Sequence, residues 1–328
     1  MTSDRLRSIV PMFGGATQYV ETLDMVLGFV ASHHPTTDVL VGWHRGSFER
    51  VSSRESIMRR VTYLRQVGFI QQDGERWVLG EAGREYVQNQ DVETLLQVMC
   101  SRNVGLRSLM YALAAGPMAV EEISDQQLDT HPELGWSRGE TDMALQRVNW
   151  LRSMGIVEKQ GVEYALTGAG HRFVDEAVAE WADTAWTPET TGDAMTADMY
   201  ETTVQVRAMD PEFRVTVLSR YDRTCPVSGV DHPGLLDVAH VLSWSEYPEY
   251  RADLGNVLPL SKTHHAAFDR ELFTVDKDYR VRVNPSFETE SDVLQRTISD
   301  REGEQISRLE GWLNPTYIEQ YNMALEWI

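Results

Sequence analysis

Residues 225–276 read CPVSGVDHPGLLDVAHVLSWSEYPEYRADLGNVLPLSKTHHAAFDRELFTVD, and this stretch decides how the C-terminal third folds. The apolar run LLDVAHVLSW predicts a strand with His240 near its end. Asn256 follows sixteen residues later, at the start of a returning apolar strand. A helix is expected from about Ser261. On that helix His265 and Asp269 are four residues apart and project from one face. An imidazole nitrogen and a carboxylate on adjacent turns can hold one divalent ion, with positions left for water and an anionic substrate. A histidine at a strand end, neutral near pH 7, can take a proton from water. Upstream, RVTVLSRYD predicts a helix from about Phe213. Downstream, FTVDKDYRVRV predicts two short strands around a turn.

The elements Cys225-x-x-Ser228-Gly229, Ala239-His240-Val241, Trp244, Asn256-Val257-Leu258 and His265-x-x-Phe268-Asp269 occur in the order and spacing of one family. The segment resembles the HNH, or ββα-metal, endonuclease family over about residues 213–285. The resemblance implies a metal-dependent nuclease with His240, Asn256 and His265 as catalytic residues. It makes His240 the general base and gives Asn256 the task of pinning the loop that carries it. His265 and Asp269 become the metal ligands. Mg²⁺ is the default ion, and the histidine ligand also suits Mn²⁺ or Ni²⁺.

Two departures narrow this reading. Many members carry Asp or His before the base histidine as a third ligand, and here that residue is Ala239. The ion would have two protein ligands unless Asp237 approaches from the same strand face. Many members also hold a structural zinc through paired C-x-x-C motifs. Only Cys225 remains here, followed by Ser228, so no structural zinc is expected. His264 competes with His265 as ligand, and the H-x-x-F-D register favours His265. Trp244 and Phe268 read as core. Arg220 and Arg223 read equally well as phosphate clamps or as surface residues.

The first half is organised by an internal repeat. RVTYLRQVGFIQQDGERWVLGEAGREYV (60–87) aligns without gaps to RVNWLRSMGIVEKQGVEYALTGAGHRFV (147–174). Each copy predicts a helix ending at a glycine, Gly68 or Gly155, then a hairpin turning at Gly74 or Gly161, then another helix. Upstream helices are expected at about Thr17–Ser32 and Val92–Ala114. This resembles a tandem winged helix-turn-helix array. The fold class is therefore α+β: winged-helix domains at 1–90 and 91–178, an acidic connector at 179–212, and the nuclease domain at 213–328. Such arrays contact DNA in some proteins and other proteins elsewhere.

If they read DNA, the recognition helices begin near Ser52 and Ser137. The candidate contacts are Arg54, Arg59 and Arg138, with the aromatic Trp43, His44 and Trp136 just ahead of the helices. Arg60 and Arg147 recur beside apolar positions and read as structural. A tryptophan at these positions reads more readily as a surface or core residue, and one near a base pocket could stack on a methyl-bearing or flipped base.

Charge points away from nucleic acid. The net charge is −20, and the lysines are only Lys159, Lys262 and Lys277. Phosphate binders are usually basic. Acidic, lysine-poor composition fits a halophilic protein adapted to molar salt, where the Debye length falls to about 3 Å and short-range contacts dominate. Cys100 and Cys225 are far apart and expected to be free. No apolar run is long enough for a bilayer, and the expected location is cytoplasmic.

A nuclease fused to sequence-reading modules resembles a modification-dependent restriction endonuclease acting on double-stranded DNA, with N6-methyladenine the favoured base. The competing readings are a non-specific or repair-type HNH nuclease, and a winged-helix regulator with an inactive nuclease domain. One such domain cuts one strand, so double-strand cleavage would call for a homodimer or two visits.

Overall fold

The computed structural model describes residues 5–48, 53–183 and 209–328. The chain divides into two compact units, Met1–Phe173 and Val174–Ile328.

The first unit contains both repeats. Helices α1 (Tyr19–His33), α2 (Thr37–Ser47) and α3 (Arg54–Val67) lead into a hairpin of β1 (Ile70–Asp73) and β2 (Arg76–Leu79), then α4 (Glu81–Asn89). Next come α5 (Val92–Arg102), α6 (Leu106–Ala114), β3 (Met118–Ala119), α7 (Val120–Thr130) and α8 (Asp142–Ser153). A second hairpin, β4 (Val157–Gln160) and β5 (Glu163–Leu166), precedes α9 (Gly168–Asp183). In the second repeat β3 adds a third strand beside β5. In the first repeat a single bridge from Thr36 to Arg76 takes the equivalent place. The two repeats pack together: Tyr19 donates to Gln146 at 2.9 Å, and its ring meets that of Trp150 at 5.4 Å. The stretches expected as separate domains at 1–90 and 91–178 thus share one compact unit, with the division falling inside α9.

The expected repeat is present, and its glycines have a physical reason. Gly68 and Gly155 adopt φ of +97° and +72° just after α3 and α8, a conformation that favours glycine. Gly83 and Gly170 are matched for a different cause. A Cβ on Gly83 would lie 1.9 Å from the Phe69 carbonyl oxygen, and one on Gly170 would lie 2.4 Å from that of Ile156. In both repeats the helix after the hairpin presses against the backbone that follows the preceding helix.

Two expected helix boundaries shift. The stretch 92–114 breaks into α5 and α6 at Asn103–Gly105, where the Val104 N–H leaves the helix to donate to the Leu6 carbonyl and Gly105 turns at φ +76°. The helix expected from near Ser137 begins at Asp142. Residues 137–140 instead close as a turn: the Ser137 N–H donates to the Glu140 carboxylate at 3.2 Å, and the Glu140 N–H donates to the Ser137 carbonyl at 3.0 Å. The helix expected from near Ser52 begins close to expectation at Arg54, capped by Ser53.

Most of the acidic connector lies outside the described residues. Its end is ordered as a helix start: Asp210 caps α10 (Pro211–Arg220), and Glu212 sits in the first turn. The second unit continues with β6 (Leu236–His240) and β7 (Val257–Ser261), paired antiparallel with His240 opposite Val257. Helix α11 (Lys262–Asp269) follows at once, capped by the Ser261 hydroxyl. Then come the hairpin of β8 (Phe273–Val275) and β9 (Val281–Val283), α12 (Asp292–Thr297) and α13 (Pro315–Asn322). One core ties these together through Leu236, Ala239, Leu260, Phe268 and Phe273. No helix among the described residues is long and apolar enough to cross a membrane.

Gly83→Ala is expected to destabilise the protein by about 1–3 kcal/mol, because the helix must retreat from Phe69. Gly42→Ala, where an added Cβ meets nothing within 4 Å, serves as the control and should not lower stability. Chemical denaturation midpoints would show this. A Gly83→Ala midpoint equal to wild type would contradict the close approach.

Candidate active site

Strand β6 delivers His240 to the edge of a loop, 241–255, that returns to β7. Asn256 closes that loop. Its side chain is fully buried, and its Oδ1 accepts from the Leu242 N–H at 2.8 Å. Its Nδ2 donates to the carbonyls of Leu242 and Tyr250, each at 3.2 Å. The loop's two ends are thereby stapled through one amide. Asp253 supports the staple from below, accepting from the Gly255 N–H at 2.7 Å and from the Tyr317 hydroxyl at 2.6 Å. The Asn256 amide thus spends both its oxygen and its nitrogen on loop backbone.

The stapled loop holds His240 through a backbone atom. His240 Nε2 lies 3.0 Å from the Arg251 carbonyl oxygen. A carbonyl only accepts, so Nε2 carries the proton and Nδ1 keeps the lone pair. Trp244 meets the imidazole edge-on at 5.0 Å. The Arg251 guanidinium reaches back, donating from Nε to the Trp244 carbonyl at 2.8 Å and lying 5.0 Å from the Trp244 ring. Desolvation by burial pushes the His240 imidazole down to about 4; the hydrogen bond to the Arg251 carbonyl opposes this, and the nearby His265 adds to the shift. His240 is therefore neutral at pH 7, as a base requires.

Helix α11 presents the other candidates. His265 is buried, with Nε2 3.6 Å from Asp269 Oδ2 and Nδ1 3.8 Å from Asp237 Oδ2. Two carboxylates flanking one imidazole form a donor set suited to a cation. Burial raises the Asp269 carboxyl, the Asp237 charge adds to the rise, and His265 and Arg270 oppose it. No group of three His, Cys, Asp or Glu side chains among the described residues is already gathered around one ion position. The donors present are the His265–Asp269 pair, with Asp237 on the far side of the ring. His265 Nδ1 is buried without a hydrogen-bond partner. The pair that fits a divalent ion is His265 Nε2 with the part-exposed Asp269 carboxylate, while Nδ1 faces the buried Asp237.

His264 has a different task. Its Nδ1 lies 2.8 Å from the Ser261 hydroxyl and its Nε2 lies 2.9 Å from that of Thr297, so both nitrogens are committed to structure. Phe268 is buried and stacked on Tyr321 at 4.9 Å. Cys225 is buried in the same core and accepts from the Ser228 N–H at 3.3 Å. Arg220 is partly buried with its guanidinium 4.6 Å from the Trp312 ring.

The sequence candidates in the first unit are scattered. Arg59 is exposed on α3, and Arg54 is exposed but paired with Asp38 at 2.7 Å. Arg138 pairs with both Asp125 and Asp129. His44 is 1% exposed and bonded to the Leu40 carbonyl, so it belongs to the interior. Trp136 is half-buried, donating to Ser124 at 2.9 Å beneath the Arg147 guanidinium. Trp43 is half-buried and stacked on Phe29 at 4.5 Å. Arg147 is fully buried, bonded to Gln127 and to the Arg7 and Val104 carbonyls, which explains its recurrence as structural. Arg60 likewise lies 3.9 Å over the Phe13 ring.

Residues 225–276 match the family model described as HNH endonuclease. This segment is an HNH endonuclease domain, and it makes the chain a DNA endonuclease of the hydrolase class. No curated protein sequence matches the chain. Among solved structures, the chain is similar to one described as "Crystal structure of pyrene- and phenanthrene-modified DNA in complex with the BpuJ1 endonuclease binding domain", at 10% identity and a TM-score of 0.35, covering 60% of this chain and 94% of that one. That likeness is below the level of a shared fold.

Because its folded pKa lies below the ordinary histidine value, His240 should stay neutral from pH 8 to pH 5 in the metal-free protein. Between pH 6.5 and 4 the unfolded chain then binds a proton that the folded domain refuses, so stability falls as pH falls through that window. NMR titration of the ring tests this. A His240 midpoint near 6.5 would contradict the desolvated site.

Proposed function

We propose that the chain is a restriction-type DNA endonuclease in which the second unit cuts and the first selects the site, with cleavage dependent on a methylated base, N6-methyladenine favoured. The observation that carries the cutting step is the single lone pair left on His240. With Nε2 held by the Arg251 carbonyl, Nδ1 can only accept a proton. It takes that proton from a water whose oxygen forms the new bond to phosphorus, while the bond to the leaving ester oxygen breaks and that oxygen departs with the electron pair. Asn256 and Arg251 keep the imidazole aimed throughout. His265 and Asp269 would hold a divalent ion, which when bound neutralises charge on the scissile phosphate. Mg²⁺ fits the carboxylate, and Mn²⁺ or Ni²⁺ fit the imidazole better.

The repeats support the selecting role. Each runs helix, helix, hairpin, helix, with an added strand or bridge at the hairpin edge, the order of a winged helix-turn-helix. Helix α3 borders an open cleft of about 1240 Å³ to which Arg7 and Arg59 contribute exposed side chains, beside Glu55 and beside Arg5 and Arg60, whose guanidiniums are bonded to the Cys100 and Asn103 carbonyls and to Ser56. In a chain of net charge −20, such a gathering of arginine favours a phosphate backbone at this face. The Trp43–Phe29 stack with Phe48 edge-on at 5.7 Å offers the apolar surface that a methylated base would need. The acidic, lysine-poor composition fits work at high salt. A lone active site nicks one strand, so a homodimer or two visits would complete a double-strand break.

Digestion of one plasmid prepared with and without N6-methyladenine tests this reading. The modified plasmid should pass through a nicked form to linear fragments while the unmodified one stays supercoiled. Equal cutting of both would sink the modification dependence and favour the non-specific nuclease.

A further inference from the structure

We propose that Asp237 is a positioning residue that fixes the tautomer and orientation of His265, rather than a replacement for the metal ligand missing at Ala239. The inference rests on the reading above in which His265 and Asp269 hold the ion.

Alternation along β6 gives Asp237 and Ala239 the same strand face. Ala239 is fully buried in the core and supplies no donor. The carboxylate comes two residues earlier, about 6.6 Å back along the strand. That setback decides its role. Asp237 Oδ2 stands 3.8 Å from His265 Nδ1, whereas Asp269 Oδ2 stands 3.6 Å from Nε2. The two nitrogens of an imidazole point away from each other, so one ion on the ring can share it with only one of these carboxylates. Burial says which. The Asp269 side chain is 45% exposed, on the side open to water and substrate, and the Asp237 side chain is 7% exposed.

The inner nitrogen needs an acceptor. His265 Nδ1 is buried and has no hydrogen-bond partner, and Asp237 is the carboxylate beside it. The separation exceeds a hydrogen bond, and closing it requires a movement of less than about 1 Å. With the proton on Nδ1 directed at Asp237, the Nε2 lone pair is left toward Asp269. A carboxylate behind a ligating histidine fixes its ring and raises its basicity, and losing such a partner costs about 10–100-fold in metal affinity.

The test has two readouts besides cleavage. Long-range ¹⁵N–¹H NMR of the metal-free wild type should show His265 protonated on Nδ1; a proton on Nε2 would overturn the proposal. Mn²⁺ binding followed by electron paramagnetic resonance should weaken about 10–100-fold in Asp237→Ala and stay within about threefold of wild type in Asp237→Asn, which keeps an acceptor oxygen. Unchanged affinity in Asp237→Ala would overturn it. So would a gain of one water on the bound Mn²⁺, read by proton relaxivity, because that would make Asp237 itself a ligand. Asp269→Ala binding Mn²⁺ like the wild type would instead remove the metal assignment beneath the proposal. The wild-type tautomer needs no variant, and Asp237→Asn preserves side-chain shape should alanine fail to fold.

Discussion

The site depends on one buried amide. Asn256 bonds Leu242 and Tyr250 at once, and the loop between them then has little freedom. That loop supplies the Arg251 carbonyl, which selects the His240 tautomer and leaves the lone pair on Nδ1. The His240 ring is thus held by two hydrogen bonds in series, Asn256 to the Tyr250 carbonyl and the neighbouring Arg251 carbonyl to Nε2. The two bonds to Leu242 are buried, so removing the Asn256 amide would leave buried backbone groups unpaired, at about 1–3 kcal/mol each. The placement of His240 is therefore tied to the stability of the fold.

The electrostatics of the domain run on two scales. Overall the chain carries −20, which repels a polyanion at low salt. Locally, burial keeps His240 uncharged, and the carboxylates of Asp237 and Asp269 lie on opposite sides of the His265 ring. Short-range placement, not net charge, makes a phosphodiester a suitable substrate. The same logic holds in the first unit, where arginines that look equivalent in sequence divide by environment. Arg147 is spent on Gln127 and backbone carbonyls, and Arg138 on two aspartates, whereas Arg59 remains at the surface.

Much of the site was legible because its chemistry lies in side chains at fixed spacing. His240, Asn256, His265 and Asp269 could be named as candidates from register alone, and the glycine-marked repeat announced both hairpins. Arg251 could not be found that way, since it acts through a carbonyl that any residue provides. Asp237 was visible as a neighbour on the strand, but which imidazole nitrogen it faces depends on where α11 packs. The start of α8 was misplaced because Ser137 resembles a cap, while Glu140 draws it into a separate turn. The break in 92–114 was hidden because Val104 and Leu106 continue the apolar pattern, and only the pairing of Leu6 with Asn103 reveals the interruption.

The central claim is that His240 is the base of a single-site DNA endonuclease. Single-turnover cleavage of supercoiled plasmid by His240→Ala, with Mg²⁺ or Mn²⁺ and with DNA binding measured in parallel, addresses it most directly. The account predicts a rate lowered by about 10²–10⁴-fold with binding retained. Cleavage by the variant at close to the wild-type rate would contradict it.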